Sequence, residues 1–211
     1  MNSTPNVLFV LTDQWRGSAL GRDSDPLVKT PHLDRLAEQG QVCPRAYATN
    51  PVCTPNRACL MTGRYSHQTG MIGNDLMLPP SEVCLPEIFL DAGYATHYIG
   101  KWHLDGEERP GFVPPGWRRR GFQTFEGFNR GHVYHEHWGF DNEGAPLPWE
   151  RGGDPYFEPA LQTELAMDFM KKDRKEPFFC FLSWGPPHSP FQPPASFDHY
   201  QPETMQFRPN V

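Results

Sequence analysis

The sequence predicts an α/β fold with a mostly parallel sheet flanked by helices, because apolar runs of strand length alternate with segments that carry helix signals. Residues 6–12 and 177–184 are continuously apolar and rich in β-formers, as in strands buried on both faces of a parallel sheet. Residues 94–100 form a third candidate strand. With 37% apolar and 13% aromatic residues, a chain of 211 residues can build one sizeable core.

Capping residues and apolar periodicity predict the helices between these strands. Residues 30–40 have Thr30 before the first turn, a proline inside it and Gly40 as a stop, and the apolar face of this helix should cover the sheet. Residues 85–93 repeat that pattern. Residues 160–172 place apolar side chains at intervals of four, with lysines at the C-terminal end.

Polar side chains cluster directly after the predicted strands. They are Asp13 and Gln14, Lys101 and His103, and His188. Open α/β sheets bind ligands at the carboxyl ends of their strands, so we expect these side chains to converge on one pocket. Between about residues 105 and 159 the periodicity disappears and Pro, Gly, Trp and Phe accumulate. Irregular segments of this length are usually functional, so we expect a substrate loop.

Charge and composition exclude several classes of protein. A net charge of −6 without a long basic run does not suggest a nucleic-acid partner. The N-terminal apolar run, from Val7 to Leu11, is too short for a signal peptide or a membrane span, so we expect a cytoplasmic protein with no membrane partner. The five cysteines are odd in number and form no CxxC pair, which argues against a disulfide framework or a structural zinc site.

The stretch NPVCTPNRACLMTGRYSHQTG places Cys53 where a loop runs into a predicted helix. Backbone N–H groups and the positive dipole end of that helix would face Cys53, a setting that stabilises a thiolate or a bound oxyanion. Arg57, one helical turn on, could reach the same place. Asp13 and Gln14 suggest a hard cation with oxygen ligands. A half-buried structural thiol is the alternative for Cys53.

The segment CTPNRACLMTGR resembles the signature of the sulfatase family, C-x-P-S-R followed by an apolar helix and T-G-R. Three further segments resemble the family's motifs in the family's order. NVLFVLTDQWRG resembles the opening strand with its acidic metal-binding pair, YIGKWHL the Lys-x-His motif, and PFFCFLSWGPPHSP the strand that ends in a Pro-His motif. The resemblance implies an alkaline-phosphatase-like fold and metal-dependent hydrolysis of sulfate esters.

In this family the signature cysteine is oxidised after synthesis, so the resemblance implies that a formylglycine-generating enzyme converts Cys53 to formylglycine. The hydrate of that aldehyde would be the nucleophile, and Arg57 would hold it. Asp13, Gln14 and the modified Cys53 would bind a divalent metal ion. Calcium is the expected ion, with manganese or magnesium as alternatives.

The remaining motif residues would contact the substrate. Lys101 and His188 would grip the anionic ester and its leaving oxygen, and His103 would be the base that completes turnover. Asn74 is a further candidate for substrate contact. The histidines of the run HVYHEH are His132, His135 and His137. This run is similar to a metal cluster, but within an aromatic loop the favoured interpretation is substrate contact or plain surface.

Two departures from the family pattern leave alternatives open. Asn56 stands where the signature usually has serine, and Gln14 replaces the second aspartate of many sulfatases. The DQWR form resembles the branch that includes phosphonate monoester and phosphodiester hydrolases. A small phosphonate ester or phosphodiester is therefore the alternative to a small sulfate ester as substrate.

Length is a third departure. Family members are much longer, and their second half contributes an Asp-Asn or Asp-His pair to the metal site and a second lysine. We therefore interpret residues 1–211 as the N-terminal part of a sulfatase catalytic domain. On its own it would hold half a metal site and an uncovered sheet edge, which favours association, including homo-oligomers. An inactive chain that only binds anions is the remaining alternative.

Overall fold

The computed structural model describes residues 4–21, 28–153, 155–201 and 203, and at its centre lies a parallel sheet. The strands are β1 (Val7–Thr12), β2 (Ala95–Lys101), β3 (Thr124–Phe128) and β4 (Phe178–Trp184). Their spatial order is β1-β4-β2-β3, and each neighbouring pair is parallel. The predicted parallel α/β sheet is confirmed.

The helices predicted from the sequence are present. Within the described ranges the α-helices are α1 (Pro31–Gln39), α2 (Cys53–Thr62), α3 (Ser66–Thr69), α4 (Leu85–Asp91) and α5 (Glu158–Lys171), and 3₁₀ turns span Trp117–Arg119, Trp149–Gly152 and Ala195–Phe197. None of the helices in this part of the chain has the length and apolar character that a bilayer crossing requires.

The strand register brings the carboxyl ends of the strands to one edge of the sheet. Ser183 of β4 pairs with Leu11 of β1 on one side and with Gly100 of β2 on the other. The residues that follow these three strands therefore emerge side by side, as the sequence predicts.

Two apolar layers enclose the sheet. On one face the strands pack against α2 and α4 through an aromatic cluster, in which the ring of Tyr98 stacks on both Phe125 and Phe181. On the other face α5 packs against β2 and β4, with Leu161 and Leu165 in the contact. Dense packing of large rings leaves little room for side-chain movement, so the sheet is a rigid support for the edge above it.

The strand β3 is not predicted by the sequence, because it lies inside the segment from 105 to 159 that was expected to be irregular. Its five residues, TFEGF, are too few to display an alternating pattern, and Gly127 interrupts them. Packing explains this glycine. A Cβ atom at Gly127 would lie 2.1 Å from the carbonyl oxygen of Gly100 on β2, so only glycine allows the two strands to approach this closely.

Two expectations about burial are wrong. The strand β1 is partly buried on one face and exposed on the other, since Leu8 and Val10 are each 44% exposed. The reason is that α5 lies over β2 and β4, and no other described element covers this face of β1. The helix α1 does not cover the sheet either. None of its residues is buried, and Leu36 on its apolar face is 63% exposed.

Glu158, in the first turn of α5, is a buried carboxyl that should make stability depend on pH. Its Oε1 accepts a hydrogen bond from Nε2 of Gln162 at 2.8 Å, whereas its Oε2 has no partner. Burial raises its pKa from 4.5 to about 8, against smaller opposing effects of Gln162 and Lys101. Because the pKa is higher in the folded state, stability is lost as the pH rises from 4.5 towards 8.

We expect Glu158→Gln to remove this loss and to raise the free energy of unfolding near pH 8 by a few kcal/mol, because one pKa unit corresponds to about 1.4 kcal/mol. Urea unfolding of both proteins at about pH 5 and about pH 8 measures the difference. The control is Glu164→Gln, on the exposed side of the same helix and paired with Arg151 at 3.3 Å. Equal responses of the two variants would contradict this account.

Candidate active site

A pocket of about 620 Å³ opens at the carboxyl edge of the sheet, between the loop after β1 and the start of α2. Its lining consists of Leu11, Thr12, Asp13, Gln14, Trp15, Ala48, Pro51, Val52, Cys53, Asn56, Arg57, Asn74 and His188. Six of the eight candidate residues from the sequence are in this lining, and the other two, Lys101 and His103, are buried. The expected convergence of the polar residues on one pocket is therefore observed for most of them.

Cys53 is the first residue of α2, as the sequence predicts. The chain is extended at Val52, and the helix ends where Gly63 adopts a left-handed conformation and donates its N–H to the carbonyl of Cys59. The sulfur of Cys53 lies 3.7 and 3.8 Å from the two carboxylate oxygens of Asp13. An atom at this position faces the positive end of the helix dipole, where negative charge is stabilised.

Arg57 lies one turn further along α2, is buried, and ties the helix to the ends of three strands. Its Nη1 donates to the carbonyl of Lys101 and, at 2.8 Å, to the hydroxyl of Ser183. Its Nη2 donates to Asp13 at 3.2 Å. Burial alone would lower the pKa of this guanidinium, but Tyr98 and Asp13 outweigh burial and raise it. Arg57 therefore remains charged, with these contacts directed at Asp13 and the strand ends.

Asp13 is a buried carboxylate that two cations share. Its Oδ2 accepts from Nζ of Lys101 at 2.8 Å as well as from Arg57. Burial alone would raise the pKa of Asp13, but the charges of Arg57 and Lys101 outweigh burial and hold that pKa well below its usual range. Burial and the nearby Arg57 charge lower the pKa of Lys101, although Asp13 opposes them. The three side chains form one electrostatic unit at the base of the pocket.

His103 is oriented by Asp75, a residue that the sequence does not single out. Because a carboxylate can only accept, Nε2 of His103 carries the proton and donates it to Asp75 at 2.9 Å, and Asp75 also pairs with Arg130 at 2.7 Å. The buried Nδ1 of His103 has no hydrogen-bond partner. Burial lowers the pKa of His103 to about 4 despite the Asp75 hydrogen bond. His103 is therefore neutral near pH 7, with a free lone pair on Nδ1.

His132 joins the site by stacking on His188, with ring centroids 3.5 Å apart and 4° between the planes. The Tyr134 hydroxyl donates to the carbonyl of His188, so it accepts from Nδ1–H of His132 at 3.1 Å. The lone pair of His132 is therefore on Nε2, which accepts from Nζ of Lys101 at 2.8 Å. Burial, followed by the charges of Lys101 and His188, lowers the pKa of His132 to about 3. This imidazole is neutral at physiological pH.

The other histidines of the run HVYHEH lie elsewhere. His135 bonds the carbonyl oxygens of Tyr156 and Gln192, and His137 stacks on Trp149. The run is therefore not a three-histidine metal cluster. The sequence supplies a signal for His132 only through this run, and nothing in the run distinguishes it from its neighbours.

Asn74 and Gln14 lie at the rim of the pocket. The Oδ1 atom of Asn74 accepts from the backbone N–H of Thr54 at 3.0 Å, which satisfies one of the free donors at the start of α2. Gln14 has a left-handed backbone with φ of 60°, as do Asp75 (68°) and His103 (56°). Left-handed backbone in residues with a Cβ costs about 1–3 kcal/mol and concentrates at functional sites.

Asp13, Gln14 and a converted Cys53 offer donor atoms of the type that a hard metal ion prefers. They are too few to complete its coordination shell. Carboxylate and amide oxygens suit calcium, magnesium and manganese, and an aldehyde hydrate in place of the thiol would add oxygen donors. Calcium takes roughly six to eight oxygen ligands and magnesium six, more than these residues provide. Among the described His, Cys, Asp and Glu side chains, one group of three lies close enough to share an ion, and it consists of Cys53, His132 and His188.

The carboxyl edge of the sheet thus holds a cysteine at the first residue of a helix, a shared buried carboxylate and two neutral histidines. This arrangement is typical of an α/β protein with an anion-binding site at the carboxyl ends of its strands. Comparison with known proteins makes this specific, because the Sulfatase family model matches residues 5–211. The chain belongs to the sulfatase family.

Individual relatives agree with this assignment. The chain is 42% identical to the ulvan-active sulfatase of Formosa agariphila over 98% of its length, and 32% identical to human N-acetylgalactosamine-6-sulfatase over 88%. The crystal structure of yidJ from Bacteroides fragilis superposes with a TM-score of 0.79 at 29% identity, over 88% of this chain and 44% of that one. The chain spans 40% of the length of the two curated relatives and corresponds to the N-terminal part of a sulfatase.

The contacts of Arg57 predict a structural effect that charge alone does not explain. Arg57→Lys keeps the positive charge but cannot reach Lys101, Ser183 and Asp13 together, and each buried partner left unsatisfied costs about 1–3 kcal/mol. We expect the free energy of unfolding to fall by a few kcal/mol in urea titrations.

The matched control is Arg64→Lys in the same signature segment. Arg64 is half exposed, and its Nη1 donates to both oxygens of the buried Glu82 at 2.8 and 2.7 Å. A lysine there can keep a hydrogen bond to this carboxylate, so the loss should be about 1 kcal/mol. If Arg57→Lys were no more destabilising than Arg64→Lys, Arg57 would not be the tie between helix and sheet.

Proposed function

We propose that the protein hydrolyses sulfate monoesters carried by sugars, through a formylglycine formed from Cys53. The observation that carries this proposal is the position of Cys53 at the N-terminus of α2, within 4 Å of Asp13 in the pocket that His188 also lines. A nucleophile at a helix N-terminus beside paired cations suits an anionic ester, since both features offset the negative charge of the transferred group.

The sugar part of the proposal is supported by the names of related proteins. One relative acts on N-acetylgalactosamine-6-sulfate by its name. Another solved structure, with a TM-score of 0.69 and 26% identity, is a complex with its substrate D-glucosamine-2-N,6-O-disulfate. The aromatic and arginine side chains of the segment from 105 to 159 offer surfaces on which a sugar ring could stack.

In the proposed reaction one hydroxyl of the hydrated formylglycine attacks the sulfur atom of the ester. The bond between sulfur and the sugar oxygen would break as the attacking hydroxyl gives its proton to solvent. The sugar oxygen, held by His188, would take up a proton and leave as the alcohol. Lys101, whose Nζ contacts both Asp13 and His132, would offset charge on the sulfate oxygens. When bound, a divalent ion at Asp13 and Gln14 would supply Lewis-acid stabilisation of these oxygens.

His103 would complete turnover as a general base. It would remove the proton of the second hydroxyl, which expels sulfate and restores the aldehyde. Two features support this role: its pKa of about 4 keeps it unprotonated near neutrality, and its Nδ1 has no other partner. Asp75 would fix the tautomer, in the way that a carboxylate orients a catalytic histidine in other hydrolases.

The nucleophile is tested by Cys53→Ala in the full-length enzyme. Turnover of a sulfated sugar and of an aryl sulfate should fall to background, because alanine cannot be converted to an aldehyde. Cys43→Ala is the control, since Cys43 is an exposed free cysteine, and it should keep normal activity. Wild-type turnover by Cys53→Ala would rule out the mechanism.

The same assay separates sulfate from phosphonate and phosphodiester chemistry. A sulfatase should give a kcat/KM for aryl sulfate that exceeds those for the matched aryl phosphonate and phosphodiester. The reverse order would assign the protein to the alternative reaction on the same fold.

The substitution Asp75→Asn tests the role of His103, because Asp75 is the hydrogen-bond partner that orients this histidine. Loss of the carboxylate should lower kcat about 10- to 100-fold or more with little change in KM, because the tautomer of His103 is no longer fixed. The wild-type acidic limb should lie near pH 4, and it should move lower in the variant because Asp75 raises the pKa of His103. Asp91→Asn, an exposed site at the end of α4, is the control. A variant with unchanged kcat and pH profile would exclude this role.

A further inference from the structure

We propose that, while residue 53 is still a cysteine, the pocket binds one thiophilic transition-metal ion, with Zn²⁺ as the favoured ion, through Cys53, His132 and His188. This site goes beyond the hydrolysis proposed above and does not depend on it. It uses the sulfur that conversion to formylglycine would remove, and His132, which the sequence marks only as one member of the HVYHEH run.

The three side chains lie within reach of one ion. Their ligand atoms all lie within 4.8 Å of one another. Tetrahedral zinc, with bonds of about 2.0–2.1 Å to nitrogen and about 2.3 Å to sulfur, places its ligand atoms roughly 3.3–3.7 Å apart. The two imidazoles are stacked with 4° between their planes, so their in-plane lone pairs are parallel. One ring would therefore have to rotate out of the stack, with shifts of about an ångström, before both could bind the same ion.

In each imidazole, a hydrogen bond at Nδ1 assigns the lone pair to Nε2. Nδ1 of His188 lies 2.7 Å from the carbonyl oxygen of Ser189, which can only accept, so Nδ1 carries the proton and Nε2 is free. In His132 the Tyr134 hydroxyl takes the Nδ1 proton, and Nε2 again carries the lone pair. A histidine that binds a metal coordinates it through one ring nitrogen while its other nitrogen is held by a hydrogen bond, and each of these histidines has such a bond at Nδ1.

Two buried cations lie close to Cys53. Arg57 and Lys101 each interact electrostatically with Cys53. The ion would displace the thiol proton, so binding would release one proton. Lys101 would lose its hydrogen bond to His132 but keep its hydrogen bond to Asp13. The nearest candidate for a fourth ligand is a carboxylate oxygen of Asp13, which lies 3.7 Å from the sulfur of Cys53.

Conversion of Cys53 would change which ions the pocket prefers. A thiolate and two imidazoles select zinc and similar borderline or soft ions, whereas oxygen donors suit calcium, magnesium and manganese. The unconverted chain should therefore hold zinc, and the converted chain should lose that affinity while its oxygen donors remain. Zinc content would then report the fraction of chains that have not been converted.

The test uses the full-length protein produced without a formylglycine-generating enzyme, with an unmodified Cys53 verified by peptide mass. Co²⁺ is titrated as a spectroscopic substitute for Zn²⁺, because thiolate ligation produces a charge-transfer band. Zn²⁺ affinity is measured by competition with a chromophoric chelator. We expect one equivalent of either ion, a charge-transfer band, and no displacement by excess Ca²⁺.

Variants decide whether the named ligands form the site. Cys53→Ser should abolish the band, and Cys53→Ser, His132→Gln and His188→Gln should each weaken Zn²⁺ binding at least about tenfold, since loss of even an outer partner costs that much. Two variants serve as controls. Cys43→Ser changes an exposed free cysteine, and His137→Gln changes a histidine of the same HVYHEH run that stacks on Trp149. Both should bind Zn²⁺ like the parent protein.

A charge-transfer band that survives Cys53→Ser, or parental Zn²⁺ affinity in both His132→Gln and His188→Gln, would overturn the proposal. Sulfate-ester turnover is not part of this test, so its result leaves the proposed hydrolysis unaffected.

Discussion

The carboxylate of Asp13, shared by Arg57 and Lys101, is the interaction on which the arrangement of the site depends. It joins the loop after β1, the first turns of α2 and the end of β2 at a single oxygen atom. Buried charges are tolerated only when they are paired and hydrogen-bonded, so these three elements hold one relative position. That position places the N-terminus of α2, and therefore Cys53, against Asp13.

Packing in the aromatic core also holds Asp13, Arg57 and Lys101 in place. Tyr98 stacks between neighbouring strands, and its hydroxyl donates to the carbonyl of Lys101, which also accepts from Arg57. Side-chain packing in the middle of β2 thus fixes the last residue of that strand. The ion pairs of Asp13 with Arg57 and Lys101 lie beside an open pocket. They depend on a rigid backbone, because solvent and mobile side chains would otherwise weaken each ion pair.

Residues that follow a strand or begin a helix could be predicted from the sequence, because their positions depend on local signals and on one rule of sheet topology. Cys53, Asp13 and Lys101 belong to this group. His132 and β3 could not, since their positions depend on how the long irregular segment folds back over the sheet. Asp75 could not either, because it lies in the loop between α3 and α4, where no local signal shows that the loop reaches His103. The exposure of Leu8 and Val10 also escaped prediction, because an apolar run does not reveal whether a covering element lies above it.

Left-handed backbone at Gln14, Asp75 and His103 has a consequence for attempts to engineer the protein. These are three of the four non-glycine residues with positive φ in the described part of the chain. Glycine or asparagine at such positions relieves strain and commonly increases stability. A redesign guided by folding energy alone would therefore select substitutions at the very residues proposed to bind the ion and move the proton, and the more stable protein would be the less active one.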